Sequence, residues 1–262
     1  MTMTTNKQHI EKCIDTKIAD KKILIHSQMV GTVRVGQKRR RGVAGDTNPV
    51  VPGFLNIDAT SGSANKINGY PAKEAFSPMY LGPFLYEGEL VNVFENWWQY
   101  SKMFDELGHI GPDGLPTQKW FEFRKKGWAK MKGDRHPVGT RTNDVMFVDD
   151  SGKNRYRYMK ASCQAADKEG KAIMGYVSSR KYLYSHVYCE LVKLQPGFHE
   201  LKKMVDSGMN VQILDVDGPR EEKSVVITKE ELRRRIEDTS SPMGHGFFLA
   251  AMLLGIEREE YI

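Results

Sequence analysis

The stretch Phe76–Met103, FSPMYLGPFLYEGELVNVFENWWQYSKM, joins a proline-rich turn, a short aromatic segment and an amphipathic helical pattern. Ser77-Pro78 is a turn signal, and residues 84–86 form a strand-like segment before a turn predicted at Glu87-Gly88. From about Asn92 the apolar residues recur with the period of a helix. The stretch therefore predicts a turn, a strand and a helix in close succession.

The predicted helix carries a polar stripe beside an aromatic face. The stripe holds a carboxylate, an amide and an ammonium at positions i, i+4 and i+7: Glu95, Gln99 and Lys102. Because a carboxylate between tryptophans is costly to place near a core, Glu95 is the best active-site candidate, and we expect it to be at least half buried beside Trp98. The alternative is an ordinary amphipathic helix with a solvated polar side and tryptophans in the core.

Glu95 and Lys102 are separated by about 10 Å along an ideal helix. That separation is too long for a direct ion pair, and a structural pair would use a spacing of three or four residues. The pattern predicts two opposite charges bridged by a bound ligand.

The order of these residues resembles the signature of the NADAR superfamily. In that family a Leu-Ser-Asn-Phe-Tyr-like turn leads through a proline, an aromatic strand and an acidic-Gly turn to a helix carrying Glu-x-x-x-Gln-x-x-Lys. The matching positions are Ser77, Tyr80, Pro83, Tyr86, Gly88, Glu95, Gln99 and Lys102. Pro78 and Asn96 stand where the family has Asn and His. A closer similarity is to an uncharacterised group of bacterial and phage proteins reading SP-x-x-LGP … ENxWQYSK.

The resemblance implies an α+β fold, a predominantly helical single domain with a small β-sheet. It also implies an N-glycosidase that hydrolyses an ADP-ribose-like or nucleotide substrate, including ADP-ribosylated guanine in nucleic acid. Glu95 would stabilise oxocarbenium character and activate water, and Lys102 would act as an electrophile or imine-forming amine. The substrate-binding candidates are Ser77, Tyr80, Trp98, Gln99, Arg135, Arg180 and His245. Neither a metal nor a cofactor is implied.

Asp217 is the third catalytic candidate. It follows a predicted strand, Val211–Val216, and an acidic pair at a strand end is a common place for chemistry and also a common turn. NADAR proteins have an Asp before Trp-Gly at roughly this place. Asp217-Gly218 keeps the Asp and the Gly and lacks the Trp.

Three further candidates are Arg135 and Arg180, from short matches to the bacterial and phage group, and His245, from its place in the C-terminal helix. Arg135 lies in an Arg-x-Pro-x-Gly pattern and is expected to bind phosphate through both arms of its guanidinium. Arg180 belongs to Gly175–Tyr188, which matches a Tyr- and Arg-containing element of that group. His245 lies in a C-terminal hydrophobic helix predicted to begin at Ser241-Pro242, where it would contact substrate or be structural.

Positive charge is concentrated at the N-terminus. Residues 1–50 hold ten Lys and Arg against four Asp and Glu, and residues 51–262 hold 29 of each. The run Lys38, Arg39, Arg40 and Arg41 would bind nucleic-acid phosphate, or would be a solubilising loop. The predicted division is a basic arm at 1–50 and a NADAR-like domain at 51–262, with 140–172 as a candidate insertion.

A second basic segment, Lys119–Lys132, interleaves aromatic residues with lysines and arginine. That arrangement suits base stacking on single-stranded nucleic acid. It also suits a helix that packs one side while lysine stems cover its flanks, which is the interpretation the pattern favours. A non-catalytic nucleic-acid-binding protein and a nucleotide-ligand sensor on the same scaffold are the alternatives to an enzyme.

Composition limits the remaining classes. The three cysteines, Cys13, Cys163 and Cys189, have neither paired nor metal-type spacing, which favours a reducing compartment. The longest apolar run, Phe247–Ile256, is half of the roughly 20 residues that span a membrane, and no signal peptide is recognisable. A cytoplasmic protein without membrane partners is expected. Walker, HExxH and paired CxxC motifs are absent, so kinase, metalloprotease and zinc-finger interpretations lack support.

Overall fold

The computed structural model describes residues 30–39, 47–104, 107–135, 174–239 and 241–262, and the backbone of short strands between residues 146 and 173. The strands are β1 Val33–Gln37, β2 Leu55–Asp58, β3 Lys66–Ile67, β4 Tyr70–Pro71, β5 Phe84–Tyr86, β6 Glu89–Val91, β7 Lys102–Met103, β8 Met146–Val148, β9 Asn154–Tyr156, β10 Ser162–Gln164, β11 Ile173–Met174, β12 Val211–Asp215 and β13 Ser224–Val226. The α-helices are α1 Ala72–Phe76, α2 Phe94–Tyr100, α3 Gln118–Trp128, α4 Tyr176–Ser179, α5 Ser185–Lys193, α6 Pro196–Asp206, α7 Lys229–Glu237 and α8 His245–Leu253.

The main sheet has four strands in the order β13-β1-β12-β2. Strands β1, β12 and β2 run parallel, and β13 is antiparallel to β1. The sheet is therefore mixed, and the prediction of an α+β fold with a small sheet is confirmed.

Strand β1 corrects the predicted domain boundary at residue 50. Val33 and Val35 are fully buried, and Val33 pairs with Val211 across the sheet. An inner strand of the main sheet thus comes from the segment that was predicted to be an arm. The pairing joins residues far apart in sequence, which local pattern and charge cannot reveal.

The carboxyl ends of the three parallel strands meet at one edge of the sheet. Gln37 pairs with Asp215, and Leu214 pairs with Asp58, so these strands end side by side. All three terminal polar side chains are buried. In open α/β sheets this edge is the common position of a ligand site.

Helix α8 packs its apolar residues against this sheet. It begins after Gly244, three residues later than the predicted start at Ser241-Pro242. The backbone N–H groups of Gly244 and Gly246 donate to Asp217 O and Asp215 Oδ2, so the strand end determines where the helix starts.

The central stretch folds nearly as its pattern predicts. Strands β5 and β6 form a hairpin, and Glu87 and Gly88 adopt the positive φ angles that its turn requires. Helix α2 ends at Tyr100, and Lys102 lies on strand β7, which pairs with β10. Lys102 was predicted to lie on the helix. It is instead the first residue of β7, two residues after the helix ends.

The second half contains a π-helical turn, Arg180–Tyr184, between α4 and α5. Helix α7 starts at Lys229, where the side chain of the N-cap residue Thr228 accepts a hydrogen bond from Glu231 N. In the candidate insertion, β8 pairs antiparallel with β9, and most other residues of 140–172 lie outside the described residues. None of the helices that the structure describes is long and apolar enough to cross a membrane.

Candidate functional site

Glu95, Gln99 and Lys102 form one hydrogen-bonded chain. Gln99 Nε2 donates to Glu95 Oε1 over 2.9 Å, and Lys102 Nζ donates to Gln99 Oε1 over 2.9 Å. Glu95 is 7% exposed and Lys102 is 2% exposed, so the expected burial of Glu95 is confirmed. The two charges are bridged by a side chain of the protein itself.

The hydrogen bonds that join Lys102, Gln99 and Glu95 can point in only one direction, because the two end groups differ. An ammonium only donates hydrogen bonds and an ionised carboxylate only accepts them, so the amide of Gln99 must turn its oxygen to Lys102 and its nitrogen to Glu95. Hydrogen bonds in such a series polarise one another. Gln99, predicted to bind substrate, therefore has a positioning role in the structure: it orients the Glu95 carboxylate.

Aromatic rings surround this chain. The Trp98 ring lies edge-on to Tyr184 with centroids 4.9 Å apart, and it also contacts Tyr176 at 6.2 Å. Lys102 Nζ lies 5.1 Å from the Trp98 ring centroid. A low-dielectric wall of this kind strengthens electrostatic interactions at the carboxylate.

The Ser-Pro turn supports the start of helix α2. Glu95 N donates to Pro78 O, and Phe94 N donates to Leu81 O, at 2.9 and 2.8 Å. Gly82 has a φ of +134°, and a Cβ there would lie 2.4 Å from Asn92 O, so only glycine fits this approach.

Two substrate-binding candidates in this turn have other surroundings. Ser77 is 2% exposed, and its Oγ accepts a hydrogen bond from Met79 N, which makes it a turn residue in the structure. Tyr80 is 45% exposed, and its ring lies 5.6 Å from the ammonium of Lys73. A substrate contact stays a prediction for both residues.

Asn96, at the position of the family's His, is a residue that the sequence did not single out. It is completely buried, its Nδ2 donates to Lys130 O and Lys132 O at 3.0 Å, and its Oδ1 accepts from Asp134 N at 2.7 Å. This clamp fixes the loop that leads to Arg135. Its only sequence signal is a second amide, beside Gln99, in a short helix with four aromatic residues.

The carboxyl end of β12 is fastened to helix α8. His245 Nδ1 lies 3.1 Å from Asp215 Oδ2, and His245 Nε2 lies 3.0 Å from Ala59 O. Both ring nitrogens therefore have partners in the protein. His245 thus ties the strand end to the segment after β2, and its contact with substrate stays a prediction.

Asp217 lies in the turn just beyond this anchor. Its side chain is 38% accessible, and Arg220 Nη2 is 3.9 Å from its Oδ1. Burial raises the pKa of Asp217, Asp215 raises it further, and the positive charge of Arg135 opposes the shift. The Asp217 carboxyl is therefore recessed, since protein surrounds it and solvent still reaches it. Arg135 is exposed, and its positive charge is close enough to lower the pKa of Asp217.

Asp217→Asn is expected to melt at or above the wild-type temperature at pH 7 and to impair turnover of a verified substrate. A raised pKa means that folding penalises the ionised carboxylate, so the penalty is present above the folded pKa and disappears below the ordinary value of 3.8. Melting curves at pH 7 and near pH 4 should show the advantage of the variant shrinking at the lower pH. A large loss of melting temperature at pH 7 would make Asp217 structural.

Arg180 caps a helix with one edge of its guanidinium. Nη1 donates to the carbonyls of Arg235, Ile236 and Asp238 at 3.0 to 3.2 Å, at the C-terminal end of α7. The guanidinium also lies 4.6 Å from the Tyr176 ring centroid. Its Nε and Nη2 have no hydrogen-bond partner among the described residues, so phosphate binding by this edge is still a prediction.

Tyr184 connects the two halves of the site. Burial raises its pKa well above the usual value, and the charges of Glu95, Tyr188 and Asp215 add to the shift in that order. One buried phenol thus lies within electrostatic reach of the carboxylate on α2 and of the carboxylate at the end of β12. The charges of Glu95 and Asp215 thus both act on Tyr184, and those of Asp215 and Arg135 both act on Asp217.

The basic segments have mainly structural partners. Trp120 and Trp128 are 1% exposed, and Arg124 lies over both rings and 3.1 Å from Glu89, so the favoured packing interpretation of helix α3 is confirmed. Lys38 Nζ pairs with Asp58 at 2.5 Å, and Arg39 is exposed. Arg40 and Arg41 lie outside the described residues.

Comparisons of the chain with protein-family models, with curated proteins and with solved structures return no match. The NADAR resemblance therefore rests on the residues quoted from the sequence.

Proposed function

We propose that this protein has a NADAR-like fold and is an N-glycosidase that hydrolyses an ADP-ribose-like or nucleotide substrate, with Glu95 as the catalytic carboxylate. ADP-ribosylated guanine in nucleic acid is the first substrate to test. One observation supports the proposal most strongly. Glu95 is buried and held at Oε1 by Gln99, while Oε2 forms no hydrogen bond within the described part of the chain.

Such a carboxylate suits hydrolysis because it is oriented on one side and available on the other. Glu95 accepts a proton from water as the water oxygen bonds to the anomeric carbon. The glycosidic bond breaks, its electron pair leaves with the base nitrogen, and that nitrogen takes the proton held by Glu95. No further reactant is needed to balance this step.

The neighbouring groups would supply orientation and a dry environment. Lys102, predicted as an electrophile or imine-forming amine, is assigned instead to positioning, because its ammonium donates to the Gln99 oxygen. Trp98 forms part of the wall beside the carboxylate. Asp217 and Arg135 are assigned to the sugar and phosphate of the substrate, since the Asp217 side chain is partly accessible and the exposed Arg135 is close enough for its charge to act on it.

The test is to incubate the protein with ADP-ribosylated DNA and with nucleotide N-glycosides and to look for released base or sugar by mass spectrometry. Release by the wild-type protein, and loss of release in Glu95→Gln, are the expected results. Absence of cleavage with every substrate would reject the glycosidase proposal.

Nucleic-acid binding through the N-terminal basic run is the second candidate, favoured by the charge excess in residues 1–50. Deleting these residues is not a suitable test because the deletion removes the inner strand β1. Replacing Arg39, Arg40 and Arg41 with alanine leaves the Lys38–Asp58 ion pair in place. We expect this variant to bind DNA more weakly, with a salt-dependence slope smaller by about 2 to 3.

If the affinity for DNA at low salt and the salt-dependence slope are both unchanged, the basic run does not bind nucleic acid. Cleavage of a free nucleotide substrate should be unaffected in the same variant. That comparison separates nucleic-acid binding from chemistry at Glu95.

A further inference from the structure

Tyr184 differs from its neighbour Tyr188 in the hydrogen bonding of its hydroxyl group. The two rings are stacked with centroids 6.0 Å apart, and both side chains are at least nine-tenths buried. Tyr188 Oη donates to Phe76 O over 2.8 Å, whereas the Tyr184 hydroxyl forms no hydrogen bond with any residue that the structure describes. Only Tyr188 is therefore satisfied by the protein.

The Tyr184 hydroxyl is not one of the buried polar atoms that lack a partner, so solvent reaches it although the side chain is mostly buried. A hydroxyl in that position can donate a hydrogen bond to a bound ligand. Tyr184 is the last residue of the π-helical turn, in which Ser185 N donates to Arg180 O, five residues earlier. Turns of this kind are often found at functional sites because the extra residue changes the direction of a side chain. Here the turn brings Tyr184 against Trp98, within electrostatic reach of Glu95.

The ring itself is held firmly. Tyr184 contacts Phe94 edge-on at 5.0 Å and Phe248 at 5.6 Å, in addition to Trp98 and Tyr188. A side chain packed on several sides by aromatic rings cannot easily rotate to find another partner. Its hydroxyl is therefore preorganised at one place, where the charge of the Glu95 carboxylate acts on it.

We propose that Tyr184 is a further catalytic residue of this site, whose hydroxyl donates a hydrogen bond to an acceptor on the departing base while Glu95 activates water. This inference rests on the proposed glycosidase function. Negative charge grows on the base as the bond to the sugar breaks, and a donor already in place stabilises that charge. Tyr184 keeps its proton throughout, so the proton balance between water, Glu95 and the base is unchanged.

The raised pKa of Tyr184 agrees with this role, because burial and the nearby Glu95 charge both oppose loss of the phenolic proton. The hydroxyl is thus a permanent donor over the ordinary pH range. Because the hydroxyl is neutral, Tyr184 adds no positive charge that would pair with the Glu95 carboxylate.

The test compares Tyr184→Phe with Tyr188→Phe, since each removes one hydroxyl from one of two stacked rings. With ADP-ribosylated DNA, Tyr184→Phe should keep its KM within about threefold and lose about 100-fold in kcat, at a melting temperature within about 2 °C of wild type. Tyr188→Phe should lose a structural hydrogen bond, melt about 2–4 °C lower and keep its kcat.

Calorimetric titration with ADP-ribose separates this inference from the proposed function. If the wild type cleaves and Tyr184→Phe cleaves equally well, the role of Tyr184 is rejected and the glycosidase proposal survives. If the wild type binds ADP-ribose without cleaving any substrate, the glycosidase proposal is rejected. A loss of affinity of about fivefold in Tyr184→Phe would then support a ligand contact, and an unchanged affinity would reject it. If the wild type neither binds nor cleaves, both proposals are rejected.

Discussion

Glu95→Gln is expected to abolish glycosidic cleavage, with a loss of about 10² to 10⁴-fold in kcat, while folding changes by no more than about 1 kcal/mol. The amide that replaces the carboxylate still has an oxygen to accept the 2.9 Å hydrogen bond from Gln99. It cannot take a proton from water. Ligand binding should therefore persist, and steady-state kinetics with calorimetric titration of ADP-ribose would show the separation.

Glu89→Gln is the matched control for this variant. Glu89 is a carboxylate on strand β6 with a side chain 45% accessible, and it pairs with Arg124 rather than with the site. Its replacement should leave kcat within about twofold, because exposed ion pairs contribute little. Full activity of Glu95→Gln on a verified substrate would show that the catalytic assignment is wrong, and an unfolded variant would make Glu95 a structural anchor.

Gly127→Ala is expected to destabilise the protein by about 2–4 kcal/mol. Gly127 lies in helix α3, and a Cβ at this position would lie 1.9 Å from Tyr100 Cγ and 2.1 Å from Tyr100 Cδ1. The Tyr100 ring cannot simply move aside, since its hydroxyl is bonded to Asp134 at 2.9 Å and the ring packs on Phe123. Chemical denaturation, followed by tryptophan fluorescence, would measure the loss.

Gly62→Ala is the control, because a Cβ at Gly62 meets no atom within 4 Å. Its stability should stay within about 0.5 kcal/mol of the wild type. A Gly127→Ala variant as stable as this control would mean that helices α2 and α3 do not pack as closely as described. Since helix α2 carries Glu95, activity of Gly127→Ala should fall with its stability.

Gly127 also shows where sequence reasoning has limits. In an isolated helix, replacement of glycine by alanine is favourable by about 1 kcal/mol. The sequence around residue 127 thus predicts stabilisation. The opposite expectation depends on Tyr100, whose contact with Gly127 is formed by the packing of two helices. Local propensity carries no information about such a contact.

For the same reason, only part of the candidate site could be predicted from the sequence. The burial of Glu95 followed from its place beside aromatic residues in a helical pattern, which is local information. The bridging role of Gln99 did not follow, because Lys102 leaves the helix and lies on strand β7, where it is held by pairing with β10. A ligand was therefore predicted where the protein supplies its own bridge.

The sequence by itself determined the elements whose cause is local: the Glu87-Gly88 turn, the start of helix α2 and the cap at Thr228. Each depends on backbone preferences or on hydrogen bonds within a few residues. Only the tertiary structure decided that Val33–Gln37 is an inner strand and that Tyr184 packs on Phe94 and Trp98 of the helix that carries Glu95. Those outcomes depend on pairing and packing between distant segments, which have no signature in any single stretch of the chain.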